Sequence, residues 1–192
     1  MNMMRQFGKN ALILGCLTAL CVLFLSGGNT LYERVQAERQ RDLRMSILKT
    51  FGEQFSEATF DEAFGRTVTV EERPRDKATV FRYRGRPAQA AVLIAGPGLW
   101  GVITMLVFFN TDNQTITGIR VLSHSETPGL GSRIEEDWFT DQFRKLDATQ
   151  AVHIVTRRTG APNEVDAITG ATKSSKSVEA IVNRAEAIAG GG

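Results

Sequence analysis

Residue types that could do chemistry are concentrated in one short stretch near the C-terminus. Residues 166–175 read DAITGATKSS and combine an acid, two threonines and two serines with one glycine, although a turn alone needs only the glycine. Thr172 lies just before the last predicted helix, where free backbone N–H groups and the helix dipole favour a phosphate. Lys173 and Lys176 add positive charge, so we predict that this stretch holds an anion. One of three serines is expected to cap the helix: Ser174, Ser175 or Ser177.

A second stretch with unusual composition is HSETPGLG, residues 124–131, between a predicted strand and a predicted helix. Gly129 and Gly131 would let the backbone approach a flat ligand closely. Three polar side chains could hydrogen-bond the polar edge of such a ligand: His124, Glu126 and Thr127. The alternative is an ordinary connection from strand to helix, since Pro128 followed by Gly129 is a turn signal by itself.

Several classes of function lack the residues they need. The two histidines, His124 and His153, have no Cys, Asp or Glu at metal-ligand spacing, so we expect no metal site. Neither the G-x-S-x-G motif of hydrolases nor the G-x-x-x-x-G-K-(S/T) motif of nucleotide-hydrolysing enzymes occurs. The 23 basic residues against 21 acids are scattered along the chain, which gives no nucleic-acid footprint. We therefore expect no catalytic residues for a stand-alone reaction.

An apolar, uncharged run covers residues 11–25, and with residues 26–28 it reaches about 18 residues, close to a membrane span. The alternative is a cleaved signal peptide, for which SGG at 26–28 is only a fair cleavage site. We expect a retained single-pass anchor. Arg5 and Lys9 before the run favour a cytoplasmic N-terminus, which places the rest of the chain on the outer face of the inner membrane.

Both cysteines, Cys16 and Cys21, lie inside this apolar run. The remainder of the chain therefore offers no ligand for a cysteine-held iron–sulfur cluster or a c-type haem, and no disulfide framework. We interpret the two cysteines as small apolar residues of a membrane helix.

The hydrophobic pattern after the run predicts an α+β domain. Residues 31–64 have helical spacing, and Ser132 with Glu135 has the spacing of a capping box for a helix through about residue 146. Segments rich in β-branched and aromatic residues predict strands, with a hairpin turn at 111–114: near 67–71, 79–83, 90–95, 100–109, 115–122 and 152–156. We expect a mostly antiparallel sheet with helices packed on it. The predicted organisation is an anchor at 1–28, a helical stalk at 29–64 and a domain at 65–192.

These motifs resemble those of the FMN-binding domain family. DAITGAT at 166–172 resembles its flavinylation signature D-x-x-(S/T)-G-A-T, in which the last threonine is joined to FMN through a phosphoester. The loop at 124–131 resembles its H-x-E-T-P-G-L-G, and GPGLWG at 96–101 resembles its glycine and aromatic segment. The order, the spacing and the N-terminal anchor also match, so the resemblance covers residues 10–189.

The resemblance implies a covalent FMN on Thr172, transferred from FAD by a separate flavin transferase. The residues that this transferase would recognise are Asp166, Thr169, Gly170 and Ala171. The 124–131 loop would line the isoalloxazine, with Trp100 and Leu130 stacking on it. Ser174 and Ser175 would contact the phosphate or the ribityl chain.

The function implied is electron relay through FMN, with no soluble substrate and no independent catalytic activity. The nearest resemblance in kind is to G subunits of Rnf-type ion-translocating ferredoxin:NAD+ oxidoreductase complexes, whose other membrane subunits would be the partners. The alternatives are the C subunit of a sodium-translocating NADH:quinone reductase, a non-redox anchored docking module, and a related flavin-bearing regulator of anaerobic respiration. The short chain and single anchor disfavour the regulator.

Overall fold

The computed structural model describes residues 2–190, with side chains described for residues 14–23 and 32–190. The chain forms two compact units, Met1–Ser46 and Ile47–Gly192. Part of the predicted anchor, residues 11–13 and 24–28, lies outside the described side chains. Within the described residues, none of the helices combines the length and apolar character of a membrane span.

Two helices replace the continuous helical segment expected at 31–64. Helix α1 covers Asn2–Phe51 and α2 covers Phe60–Thr67. Helix α1 ends where Gly52 adopts a left-handed φ of 78°. There the N–H of Gly52 donates to the Lys49 carbonyl at 3.1 Å and that of Glu53 to the Leu48 carbonyl at 3.0 Å. These bonds satisfy carbonyls that the end of a helix leaves free, which is why glycine stops the helix here.

A five-stranded antiparallel sheet follows, with its strands in sequence order. The strands are β1 (Val68–Arg73), β2 (Ala78–Tyr83), β3 (Gln89–Pro97), β4 (Val102–Asn110) and β5 (Thr115–Ser123). The predicted hairpin turn at 111–114 joins β4 to β5. In this turn the backbone N–H of Asp112 donates to Asn110 Oδ1 at 3.0 Å. The prediction of an antiparallel sheet in an α+β domain is confirmed.

Both faces of this sheet are covered. Along β4, Ile103 and Met105 face a core that includes Val178 and Ile181 of α4 (Thr172–Gly190), whereas Leu106 is buried on the opposite face. On that face the rings of Phe64 in α2 and Phe81 in β2 meet edge to face, with centroids 6.1 Å apart. Because side chains alternate along a strand, a strand covered on both faces reads as an almost continuous apolar run.

The single helix expected from Ser132 to residue 146 does not form, and the prediction of a capping box at Ser132 is wrong. Ser132 Oγ instead accepts the Gly129 N–H at 2.9 Å. Glu136 is extended, with φ −67° and ψ 142°, and this interrupts the helical turns. The segment consists of a 3-10 helix, a short helix α3 and a second 3-10 helix: Gly131–Glu135, Asp137–Thr140 and Asp141–Phe143.

The last predicted strand belongs to a separate parallel pair, β6 (His153–Val155) with β7 (Glu164–Asp166). Strand β7 was not expected, because three residues that include two acids carry no strand pattern. Helix α4 begins at Thr172, so the serines predicted to cap it lie inside the helix.

Glu186, on the sheet side of α4, is a partly buried acid whose Oε1 atom has no hydrogen-bond partner. Burial, and secondarily the charge of Asp147, raises its pKa from 4.5 to about 7. Between these values the unfolded chain ionises while the folded chain keeps its proton, so stability falls as the pH rises through this window. We expect Glu186→Gln to gain about 1–2 kcal/mol at pH 8, after allowing for solvent screening, and almost nothing at pH 4.

Urea unfolding of both chains at pH 4, 6 and 8 measures this difference. Glu72→Gln is the matched control, because Glu72 is an exposed carboxylate. An equal gain at all three pH values would show that the effect does not come from ionisation of Glu186.

Candidate functional site

Three segments that are distant in sequence meet at the carboxylate of Glu126, which is 4% exposed. Its Oε1 accepts the backbone N–H of Leu99 at 2.8 Å and that of Trp100 at 3.1 Å. Its Oε2 accepts the hydroxyl of Ser174 in the first turn of α4. The structure thus brings together the turn between β3 and β4, the 124–131 loop and the start of α4, as the motifs suggested.

Glycines make this close approach possible. A Cβ atom on Gly98 would lie 2.5 Å from Glu126 Oε1, and one on Gly131 would lie 2.7 Å from Ser174 Oγ. Real Cβ atoms do not approach this closely, so larger residues at these positions would push the segments apart. Packing around this carboxylate therefore requires glycine at positions 98 and 131.

Glu126 remains ionised at neutral pH despite its burial. Burial alone would raise the pKa of this carboxyl, but hydrogen bonds from Ser174, Trp100 and Leu99 outweigh that cost and hold the pKa below its usual value. Donors aimed at a carboxylate favour its charged form. Both of its oxygens accept hydrogen bonds from protein donors, so Glu126 joins the two loops and the start of α4. Its predicted contact with a ligand stays a prediction.

The DAITGAT turn is held by hydrogen bonds and a buried side chain on its core side, and it is exposed on the other side. Ser175 Oγ accepts the Ile168 N–H at 3.1 Å and donates to the Ala171 carbonyl at 3.0 Å. The side chain of Ile168 is fully buried. Gly170 takes a left-handed φ of 81°, which a side chain would strain. The consequence is that Thr172, the first residue of α4, is held on a rigid turn with its side chain exposed.

Two exposed side chains, Leu130 and Trp100, form an apolar rim beside this turn. Leu130, 47% exposed, packs over Gly170, with Leu130 Cδ2 only 3.3 Å from where a Cβ on Gly170 would stand. Trp100 is 69% exposed on the turn held by Glu126. Exposed apolar side chains of this size next to an exposed hydroxyl suit a ligand that has a flat apolar part and a polar attachment.

The other residues singled out from the sequence occupy different positions. His124 Nδ1 accepts the Glu126 N–H at 3.1 Å, and its Nε2 lies 3.4 Å from Glu135 Oε2 in the following 3-10 helix, so both ring nitrogens have protein partners. The Thr127 carbonyl accepts the N–H groups of Leu130 and Ser132 at 3.2 and 3.1 Å. The remaining predicted contacts are exposed: Gly129, Thr169 and Lys173. No cluster of metal-binding side chains was found in the described part of the chain.

Asp166, the first residue of the motif, is held by residues that the sequence did not indicate. Its Oδ2 lies 3.2 Å from Arg158 Nε, and its backbone N–H donates to Gln142 Oε1 at 2.9 Å. Neither partner has a sequence signal, because Arg158 lies in the loop between β6 and β7 and Gln142 lies in a short turn 24 residues before Asp166. The carboxylate remains about half exposed at the end of β7.

Comparison with known proteins identifies relatives of the whole site. The model of the FMN-binding domain family matches residues 98–187. The G subunit of the ion-translocating oxidoreductase complex of Methanosarcina acetivorans is 34% identical over 149 residues, which are 75% of this chain and 71% of the relative. The corresponding G subunit of Shewanella oneidensis is 29% identical over 190 residues, 92% of this chain and 86% of that one.

A second group of relatives is longer. The C subunit of the Na+-translocating NADH-quinone reductase of Yersinia pestis is 32% identical over 166 residues, 81% of this chain. The match spans 57% of that relative.

Solved structures share the fold. The crystal structure of NqrC from Shewanella oneidensis superposes with a TM-score of 0.62 at 19% identity, over 80% of this chain and 94% of the other. The C subunit of the Na+-translocating NADH-quinone reductase from Parabacteroides distasonis gives 0.59 at 22% identity, over 80% and 93%. Together with the sequence relatives, these matches show that the chain belongs to the FMN-binding domain family, whose members include the G subunits of ion-translocating oxidoreductase complexes.

Proposed function

We propose that this chain is the electron-transferring G subunit of a membrane-bound ion-translocating oxidoreductase complex of the Rnf type, and that it carries FMN joined covalently to Thr172. The observation that carries the proposal is the exposed residue Thr172, which follows a hydrogen-bonded turn at the start of α4 and lies beside the exposed side chains of Leu130 and Trp100. A binding site for a soluble substrate is not needed for this role.

The residues at the start of α4 fit the phosphate of FMN. The first turn of a helix has backbone N–H groups without intrahelical partners, and the positive end of the helix dipole favours an anion. Exposed Lys173 adds a positive charge next to Thr172. Thr172 would hold the phosphate as an ester, and these groups would balance the charge that remains on it.

The apolar rim fits the isoalloxazine ring. Trp100 and Leu130 are large exposed side chains on the two loops that meet near α4. Each can pack against the face of a flat ring. When bound, FMN accepts and donates the electrons, and the protein supplies orientation and electrostatics. Neighbouring subunits of the complex would deliver and remove electrons at the part of the ring that the rim leaves open.

Attachment requires a separate flavin transferase that uses FAD. A bond forms between Thr172 Oγ and the phosphorus of the FMN half, the phosphoanhydride bond to AMP breaks, and the hydroxyl proton leaves with AMP as product. Thr169, Gly170 and Thr172 are exposed, which supports access for such an enzyme, and Ala171 is buried against the turn. Asp166, half exposed on its ion pair with Arg158, is available for recognition.

We further propose that residues 11–28 anchor the chain in the inner membrane, with domain 65–192 on the extracytoplasmic side and 29–64 as the stalk. The described part of the run supports this with leucines exposed on α1: Leu14, Leu17, Leu20 and Leu23. Outside the cytoplasm no pool of flavin can replace a molecule that dissociates. A covalent bond lets the ring stay open to partners without being lost.

Two other functions are compatible with some of the same observations. The C subunit of a Na+-translocating NADH-quinone reductase would use the same chemistry with different partners, but the match spans 57% of such a relative against 71% and 86% of two G subunits. A docking module without redox function would leave the exposed hydroxyl of Thr172 unexplained.

Co-expression with a flavin transferase tests the proposal. The chain is run on a denaturing gel and viewed under ultraviolet light, with a known substrate of the transferase in parallel. A fluorescent band supports covalent flavin. A dark band beside a fluorescent control substrate would favour the docking module.

A further inference from the structure

The buried carboxylate of Glu126 connects the two halves of the candidate flavin site. On one side it accepts the N–H groups of Leu99 and Trp100, at 2.8 and 3.1 Å. On the other side it accepts the hydroxyl of Ser174, two residues after Thr172 in the first turn of α4. The turn that carries the exposed indole of Trp100 and the helix start that carries the exposed hydroxyl of Thr172 are therefore joined through one buried side chain.

We propose that Glu126 is a positioning residue that fixes the ring-covering turn of Trp100 relative to the attachment residue Thr172. The importance of this link for flavin binding rests on the proposed function, because the distance between Trp100 and Thr172 affects a ligand only if that ligand contacts both. Its structural part, the link itself, applies to the flavin-free chain as well.

The packing around the carboxylate leaves little freedom for either segment to move alone. Gly98 and Gly131 have no room for a side chain, since a Cβ on either would lie within 3 Å of Glu126 or Ser174 atoms. The turn is closed by a further hydrogen bond, from the Gly98 N–H to the Gly101 carbonyl at 2.6 Å. Movement of the start of α4 would therefore be passed to the Trp100 turn through Glu126.

The charge of Glu126 suits this task. An ionised carboxylate accepts several hydrogen bonds at once, and hydrogen bonds to a charged group are stronger than those between neutral groups. The same donors that hold the two segments also keep the carboxylate ionised, so the link and the charge stabilise each other.

Hydrogen exchange of the flavin-free chain tests the link without any flavin chemistry. We compare Ser174→Ala with the wild type and follow the amide protons of Leu99 and Trp100. Ser177→Ala is the matched control, because Ser177 lies on the same helix and its hydroxyl donates to the Lys173 carbonyl at 3.2 Å, away from Glu126. Loss of one charge-assisted hydrogen bond should speed exchange of the two amides about tenfold in Ser174→Ala only.

The flavin-loaded chain provides the second readout. An indole stacked on flavin quenches its fluorescence, so the native fluorescence of attached FMN reports the position of Trp100. In the Ser174→Ala chains that carry FMN, the native fluorescence per attached flavin should rise toward that of a Trp100→Leu variant. The fluorescence of the denatured samples, in which the indole no longer stacks on the flavin, measures how much flavin each variant carries and is used to normalise the native signal.

These results separate the inference from the proposed function. Unchanged exchange at Leu99 and Trp100 in both Ser174→Ala and Glu126→Ala would overturn the inference, even if FMN is attached to the wild type. If Glu126→Ala does not fold, Ser174→Ala decides the question alone. A wild-type chain that takes up no flavin contradicts the proposed function, and the exchange measurement still tests the link.

Discussion

Replacing Thr172 with alanine is expected to abolish covalent flavin completely while leaving the fold intact. The side chain of Thr172 is exposed, so its loss removes no core contact. Without the hydroxyl, no phosphoester can form at this position. Flavin fluorescence of the denatured protein, after co-expression with a flavin transferase, should fall to background in Thr172→Ala, and the thermal unfolding temperature should stay close to that of the wild type.

Two further variants make this result specific. Thr172→Ser keeps a hydroxyl at the same position and should retain a measurable fraction of the flavin. Ser177→Ala removes a hydroxyl from the same helix and should load like the wild type. A Thr172→Ala band that stays fluorescent would place the attachment elsewhere and contradict the assignment.

Ile168→Ala is expected to have the largest effect on stability among changes within the DAITGAT turn. Ile168 is fully buried beneath the turn, in the core shared with α4 and the sheet. Truncating a buried isoleucine leaves a cavity and costs about 2–4 kcal/mol. Because the turn that presents Thr172 rests on this side chain, the rate of FMN attachment should also fall. Urea unfolding and the time course of flavin incorporation measure the two effects.

A conservative change separates packing from recognition by the transferase. Ile168→Val removes one methylene and should cost only about 0.5–1.5 kcal/mol, with nearly normal attachment. If Ile168→Ala folds with wild-type stability, the buried support of the turn assigned here is wrong.

The sheet could be predicted from the sequence because its strands carry a strong local signal. The β-branched and aromatic residues of β4 and the turn at 111–114 identify a hairpin without any tertiary information. The family resemblance suggested that the 124–131 loop and the DAITGAT turn serve one ligand, and in the structure the two are neighbours, since Leu130 packs over Gly170.

Features that depend on tertiary contacts could not be predicted in this way. From the sequence, Glu126 was predicted only to contact a ligand. No local pattern reveals that its carboxylate also accepts the amides of a turn some 26 residues upstream. Ser132 fitted a capping box, but its hydroxyl is used by the preceding turn. The Arg158 and Gln142 contacts to Asp166 likewise come from separate loops.

The central claim is that Thr172 carries FMN, and peptide mass spectrometry tests it most directly. The flavin-loaded chain is digested, and the peptide that contains residues 166–172 is fragmented to locate the added mass. We predict one FMN less one water on Thr172 and none on Thr169, the other threonine of the motif. An unmodified peptide from a chain exposed to an active transferase, or a modification located on Thr169, would contradict the account.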